Sequence, residues 1–244
     1  MNVDIEQIAT FPMESDDWVT TVLIGGAAML FSFFVVPIFL VSGYLVKVLR
    51  AGMEGATEPP AFDDWGETLK EGLVAAVIGF IYMLVPLIVA GVSIGGAVLA
   101  FLSGTDAGVG AGFASLFGGL FLSWILSIVF GIVGLAGVAN YARERQFGAG
   151  FDFGVITDVV THRSYLLAWV YVIVLNVVVG IIAGVLGVIP FLGPIVTVFL
   201  SFYALVIAGW LWGQGFAEAA DMGTPSEAYQ SGRERDRRDS TESY

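Results

Sequence analysis

Apolar residues run through this chain in four charge-free blocks, Trp18 to Val46, Gly72 to Thr105, Ala107 to Ala142 and Ser164 to Ala217. A helix needs about 20 apolar residues to cross a bilayer, so each of the first three blocks holds one crossing. The fourth is 54 residues long and is interrupted by Ile189-Pro190-Phe191-Leu192-Gly193-Pro194. A pair of prolines there ends one helix and opens a tight turn to the next. The pattern therefore predicts an all-α integral membrane bundle of five transmembrane helices, at about residues 20–46, 73–102, 113–139, 165–189 and 195–216. Pro37 and Pro86 fall inside the first and second spans, where they are expected to kink the helix.

The polar interruptions carry a pattern of their own. After Pro59-Pro60-Ala61-Phe62-Asp63, the residues Phe62, Trp65 and Leu69 recur at i, i+3 and i+7; after Phe151-Asp152, Phe151, Val155 and Val159 recur at i, i+4 and i+8. Both are helical spacings. Asp64 with Glu67 reads as a capping box and Asp152 as an N-cap. Two short amphipathic helices lying flat at the cytoplasmic interface are the expectation. Each follows a helix exit that mixes aromatic, basic and glycine residues: Gly43-Tyr44-Leu45-Val46-Lys47-Val48-Leu49-Arg50 in one case, Gly137-Val138-Ala139-Asn140-Tyr141-Ala142-Arg143-Glu144-Arg145 in the other. The shared order of events suggests a parallel internal repeat of helix, elbow and helix, the kind some transporters use. A partial third copy begins at Ile207.

Charge orients the bundle. All ten basic residues lie in the 47–70 and 143–163 interruptions or in the C-terminal tail, and the other connections hold none. Short loops rich in Lys and Arg stay in the cytoplasm. With five spans, this puts the C-terminus inside and the N-terminus outside, along with the loops around Asp106 and Gly193. Residues 1–18 form an acidic extracytoplasmic segment, residues 19–217 the membrane domain, and residues 218–244 a polar tail too poor in apolar groups to fold.

Composition changes the picture in two places. Only 13% of residues are charged, against roughly a quarter in a soluble domain, which supports the membrane reading. The net charge is -12, and only two of the ten basic residues are Lys. Such acidity suggests a halophilic source and disfavours a nucleic-acid partner. With no cysteine, thiol nucleophiles, disulfides and thiolate metal sites are excluded.

The run Phe11-Pro12-Met13-Glu14-Ser15-Asp16-Asp17-Trp18, followed by Leu23-Ile24-Gly25-Gly26, Pro37 and Gly43 to Arg50, resembles the DUF4013 family of archaeal multi-pass membrane proteins. Pro-Ala-Phe-Asp-Asp-Trp at 60–65 and Leu69-Lys70-Glu71-Gly72 fit it too. The resemblance covers most of the chain up to about residue 220. It implies a membrane protein frequent in haloarchaea, with no assigned activity and no catalytic residues to carry over.

Candidate sites are few. Asn176, in the middle of the fourth span, is the one strongly polar amide at depth and a weak candidate for substrate binding; an interhelical hydrogen bond is its plainer use. Ser123, Ser127, Ser201 and Tyr203 extend that candidate path. Lys47, Arg50, Trp65, Lys70, Arg143, Arg145 and Arg163 are expected at the membrane interface. The small-residue pairs Gly91/Gly95, Gly180/Gly184 and Gly209/Gly213 are expected to pack helices, within the chain or between copies of it. Glu54, Glu58, Asp63, Asp64, Glu67 and Glu71 cluster in sequence, but their spacing does not fit a calcium loop. His162 has no second ligand near it in sequence. No catalytic residue, metal site or cofactor is expected. The sequence favours a non-enzymatic scaffold or envelope component of the cell membrane, whose partners are the lipid bilayer and a second copy or another membrane protein. A small-solute or lipid transporter is the alternative.

Overall fold

The computed structural model describes residues 5–220; most of the C-terminal tail and the first four residues lie outside them. The described residues form helices and their connections, with no strand. In chain order these are α1 (Ile5–Thr10), a 3₁₀ turn (Phe11–Met13), α2 (Trp18–Leu30), α3 (Val35–Met53), α4 (Trp65–Leu102), α5 (Asp106–Glu144), a second 3₁₀ turn (Phe147–Phe151), α6 (Phe153–Thr161), α7 (Arg163–Leu186) and α8 (Leu192–Ala219). Five of them, α3, α4, α5, α7 and α8, are long and apolar enough to cross a membrane.

Most boundaries follow the local chemistry. Asp64 caps α4, its carboxylate accepting from the Glu67 N–H at 3.4 Å, and Thr105 caps α5 by accepting from Gly108 at 3.0 Å. Asp152 caps α6 through the N–H groups of Gly154 and Val155, as its position before a short amphipathic run suggested. Residues 187–191 turn the chain between α7 and α8, with Pro194 in the first turn of α8, where a missing N–H costs nothing.

Three expectations need correction. The first elbow is not a separate interfacial helix: Trp65 opens a continuous 38-residue helix, and the residues before it form a loop. Pro37 does not kink a span, because it is the third residue of α3. Above all, the apolar block 20–46 is not one helix but two, α2 and α3, meeting at Phe31-Ser32-Phe33-Phe34. They run in opposite directions. Gly25 and Gly26 of α2 lie under the rings of Phe202 and Phe199 of α8, while Phe11, upstream of α2, stacks on Trp210 at 4.6 Å between ring centroids. Trp210 in turn donates from Nε1 to the Ala56 carbonyl in the α3–α4 connection. The N-terminal segment thus sits at the end of the bundle that carries Lys47 and Arg50, not at the opposite end as an odd count of spans requires.

Packing is concentrated in that basic half. Helices without Cβ at the crossing approach until backbone meets backbone: a Cβ on Gly43 would fall on the Thr68 carbonyl, and one on Gly72 on that of Phe39, which fixes the α3–α4 crossing. Gly52 and Gly213 do the same between α3 and α8, against Trp210 and Leu49. One core gathers Leu49, Ile78, Tyr82, Ala139, Ile156 and Tyr165 around α5; a second gathers Phe11, Tyr44, Phe62, Phe202 and Trp210 around α8. Toward the other end, α4 pairs with α5 and α7 with α8, and these arms present large apolar side chains such as Leu99, Phe117, Ile181 and Val185 outward.

Candidate functional site

The polar groups of the described residues converge where α3, α4 and α5 meet at the basic end. Arg50 on α3 and Glu71 on α4 form an ion pair of 2.7 Å, with side chains only 18% and 7% exposed. The same guanidinium donates from Nε to the Ala142 carbonyl at 3.0 Å. That carbonyl belongs to the last turn of α5, which has no helical N–H left to bond it. One arginine therefore ties three helices, and its positive charge lies at the negative end of the α5 dipole. Glu71 Oε2 is buried without a hydrogen-bond partner, so its charge is balanced by Arg50 alone.

Two further pairs surround it. Lys47 reaches the Asp63 carboxylate at 3.1 Å and its carbonyl at 2.7 Å, and Arg145 reaches Glu67 at 3.3 Å. Arg145 ends α5 in a left-handed conformation, φ 56°, with its N–H bonded to the Tyr141 carbonyl. These side chains line a cavity of about 300 Å³ together with Glu54 and Pro60. A neighbouring cavity of about 350 Å³ is bordered by Asn140, Arg143, Gln146 and Asp152. Asn140 donates to the Ala149 carbonyl at 2.9 Å, and its Oδ1 is buried and unpartnered.

Aromatic side chains pin the connections to this plate. Tyr44 stacks on Phe62 at 4.7 Å and donates its hydroxyl to the Pro60 carbonyl at 3.0 Å. Tyr82 stacks on Phe151 at 5.6 Å and donates to the Gly150 carbonyl at 2.8 Å. Phe62 and Phe151 thus meet the same device, a tyrosine ring and a carbonyl bond one or two residues upstream. The tyrosines come from different places, however: Tyr44 from the helix before its connection, Tyr82 from α4, which precedes the helix that leads into its connection.

The interface residues divide. Trp65, Lys70, Arg145 and Arg163 are exposed, whereas Lys47, Arg50 and Arg143 are drawn inward. Arg143 pairs with Glu144 at 3.0 Å and lies over the Phe216 ring at 5.7 Å. The acidic run does not form one cluster, since Asp63, Glu67 and Glu71 each face a different cation and Asp64 caps a helix. His162 caps α7, its Nδ1 accepting from the Ser164 N–H at 3.3 Å.

At depth the candidate path is not assembled. Asn176 bonds the Val172 carbonyl of its own helix at 2.8 Å and is exposed, so the expected interhelical hydrogen bond is not made within the chain. Ser127 and Ser201 likewise bond carbonyls four residues back, at 2.8 Å. Ser123 crosses to the Pro86 carbonyl of α4 at 2.7 Å, and Tyr203 bonds the Ala9 carbonyl. Of the glycine pairs, Gly209 and Gly213 pack against α3, while Gly91, Gly95, Gly180 and Gly184 have open space where a Cβ would stand. Those four do not pack helices within this chain.

Sequence reasoning missed two members of the site. Glu71 stands in the sequence as one of a run of acidic residues, and its place one residue before the crossing glycine Gly72 is the signal that it is drawn into the bundle. Asn140 was read as part of a helix exit, although it stands among four small or aromatic neighbours on the buried face of α5.

A helical protein with five helices long and apolar enough to cross a membrane, tied at one end by a buried ion pair and more exposed ones around it, defines the class. A family model described as "Protein of unknown function (DUF4013)" matches residues 28–188. The chain belongs to that family. No curated protein and no solved structure matches it.

Proposed function

We propose that the protein is a non-enzymatic scaffold of the cell membrane, with its basic end on the cytoplasmic side and its exposed Trp65, Lys70 and Arg163 meeting lipid headgroups or a partner protein. The observation that carries this reading is how the polar groups are used. The ion pairs of Lys47, Arg50 and Arg145 and the hydroxyls of Tyr44 and Tyr82 all join one element to another. The polar groups at depth bond helix backbone. Among the described residues, no acidic or basic side chain stands at depth in the long helices, where a transporter commonly places one. Placement of the basic end inside rests on the retention of Lys- and Arg-rich loops in the cytoplasm.

Site-specific photo-crosslinking in native membranes tests the reading. Probes at Trp65, Lys70 and Arg163 should capture a discrete protein or an anionic lipid, while a probe at Phe117 on the apolar arm captures bulk lipid. If the first three behave like Phe117, the scaffold reading fails.

A further inference from the structure

We propose that α2 and α3 form a re-entrant hairpin, entering and leaving the bilayer from the basic face, with Phe31, Phe33 and Phe34 inserted among the lipid acyl chains. The proposal rests on the chain being a membrane protein and adds to the scaffold reading an element that touches lipid from one side only.

Length comes first. α2 has 13 residues, and at 1.5 Å per residue it reaches about 20 Å. α3 has 19, but its apolar part stops at Val46. Lys47, the next residue, is bonded to Asp63, whose side chain is 74% exposed and so marks the water boundary. From Val35 to Val46 the helix rises about 18 Å. Although α3 over its full 19 residues is long enough to cross, α2 and the part of α3 that precedes Lys47 both fall short of a hydrocarbon core about 30 Å thick by roughly a third. By the same measure α7, with 24 residues, is about 36 Å long and crosses.

Direction comes second. Tyr203 bonds the Ala9 carbonyl and Phe11 stacks on Trp210 at the level of Ala56, so the chain enters α2 beside the loop by which it leaves α3. The hairpin is seated on α8, where Gly25 and Gly26 admit Phe202 and Phe199. Its tip has no such cover: Phe33 is 74% exposed and Phe34 58%.

Part of the tip's backbone is satisfied locally, which lowers the cost of placing it against hydrocarbon, where each unbonded polar group is expensive. Phe31 N–H bonds Ala27 O at 2.9 Å, Ser32 N–H bonds Met29 O at 3.1 Å and Phe34 N–H bonds Phe31 O at 2.9 Å. The Ser32 hydroxyl donates to Ala28 O at 2.9 Å. Pro37 then falls in the first turn of α3, where it has no N–H to leave unbonded. A proline read from the sequence as a kink is, in the hairpin, one of the devices that make a turn tolerable in hydrocarbon.

The chain has no cysteine, so single cysteines report without background. Asp16→Cys, Glu54→Cys, Asp106→Cys and Phe33→Cys, each in the full-length chain, are exposed to a membrane-impermeant maleimide in intact cells and in inside-out vesicles. The hairpin requires Asp16→Cys and Glu54→Cys to label from one side and Asp106→Cys from the other. Phe33→Cys should stay unlabelled from both until detergent is added. Labelling of Asp16→Cys together with Asp106→Cys, or of Phe33→Cys from the Asp106 side, overturns the proposal. Should Asp16→Cys and Glu54→Cys both label in intact cells, the hairpin stands and the cytoplasmic placement of the basic end fails instead.

Discussion

Arg50 shows what a single side chain does when three helix ends converge on it. Its partner Glu71 is withdrawn from water and has one oxygen with no other donor, so removing the guanidinium strands a charge. Arg50→Ala is expected to destabilise the protein by about 3 kcal/mol or more, the usual cost of breaking a buried pair from one side. The Arg50→Met, Glu71→Met double variant should recover much of that loss, because no charge remains to be desolvated. Thermal unfolding in detergent compares the two; equal losses would mean that the pair is hydrated. Tyr82→Phe is a milder case. It deletes only the 2.8 Å bond to Gly150, worth about 1 kcal/mol, and should speed proteolysis within residues 147–151 before it lowers the melting temperature noticeably.

Among the helices, glycine decides which faces touch, and only some of the sequence's glycines do so. Gly72 lies against the backbone of α3, whereas Gly91, on the same helix, has open space beside it. Gly72→Val should therefore force α3 and α4 apart and cost about 1–3 kcal/mol or more by overpacking. Gly91→Val should be neutral or slightly stabilising in the monomer, since valine removes the flexibility of glycine without meeting another atom. A matched pair of melting curves checks the contrast. Loss of a larger assembly in Gly91→Val, with an unchanged monomer melting temperature, would locate a contact between copies at that position.

For the molecule as a whole, charge and packing are both lopsided. The basic half holds both cores and the ion pairs, and the far arms of α4–α5 and α7–α8 expose Leu99, Phe117, Ile181 and Val185, which lipid covers without penalty. Over this lies a net charge of -12. Mutual repulsion of so many carboxylates opposes the folded state and is screened as ionic strength rises, the screening length falling to about 3 Å at 1 M. The melting temperature in detergent is accordingly expected to rise between low and molar KCl; a flat response would show that the acidity costs no stability.

What the sequence determined by itself is local. Apolar run length and the proline pair at 190 and 194 placed α7 and α8 to within three residues at each end and located α4 and α5, which begin eight and seven residues before the expected spans. Asp64 and Asp152 were legible as caps, because span length and capping depend on near neighbours. Only the tertiary structure decided that the block 20–46 is two antiparallel helices. Every residue of that block is compatible with one long span, and its break at Phe31–Phe34 is set by how α2 seats on α8. The same holds for Glu71 and Asn140, whose burial depends on which helices lie opposite, and for the four glycines that pack nothing within the chain. Composition fixes what can enter a membrane; the direction of each helix and the partner of each charge depend on contacts between residues far apart in the chain.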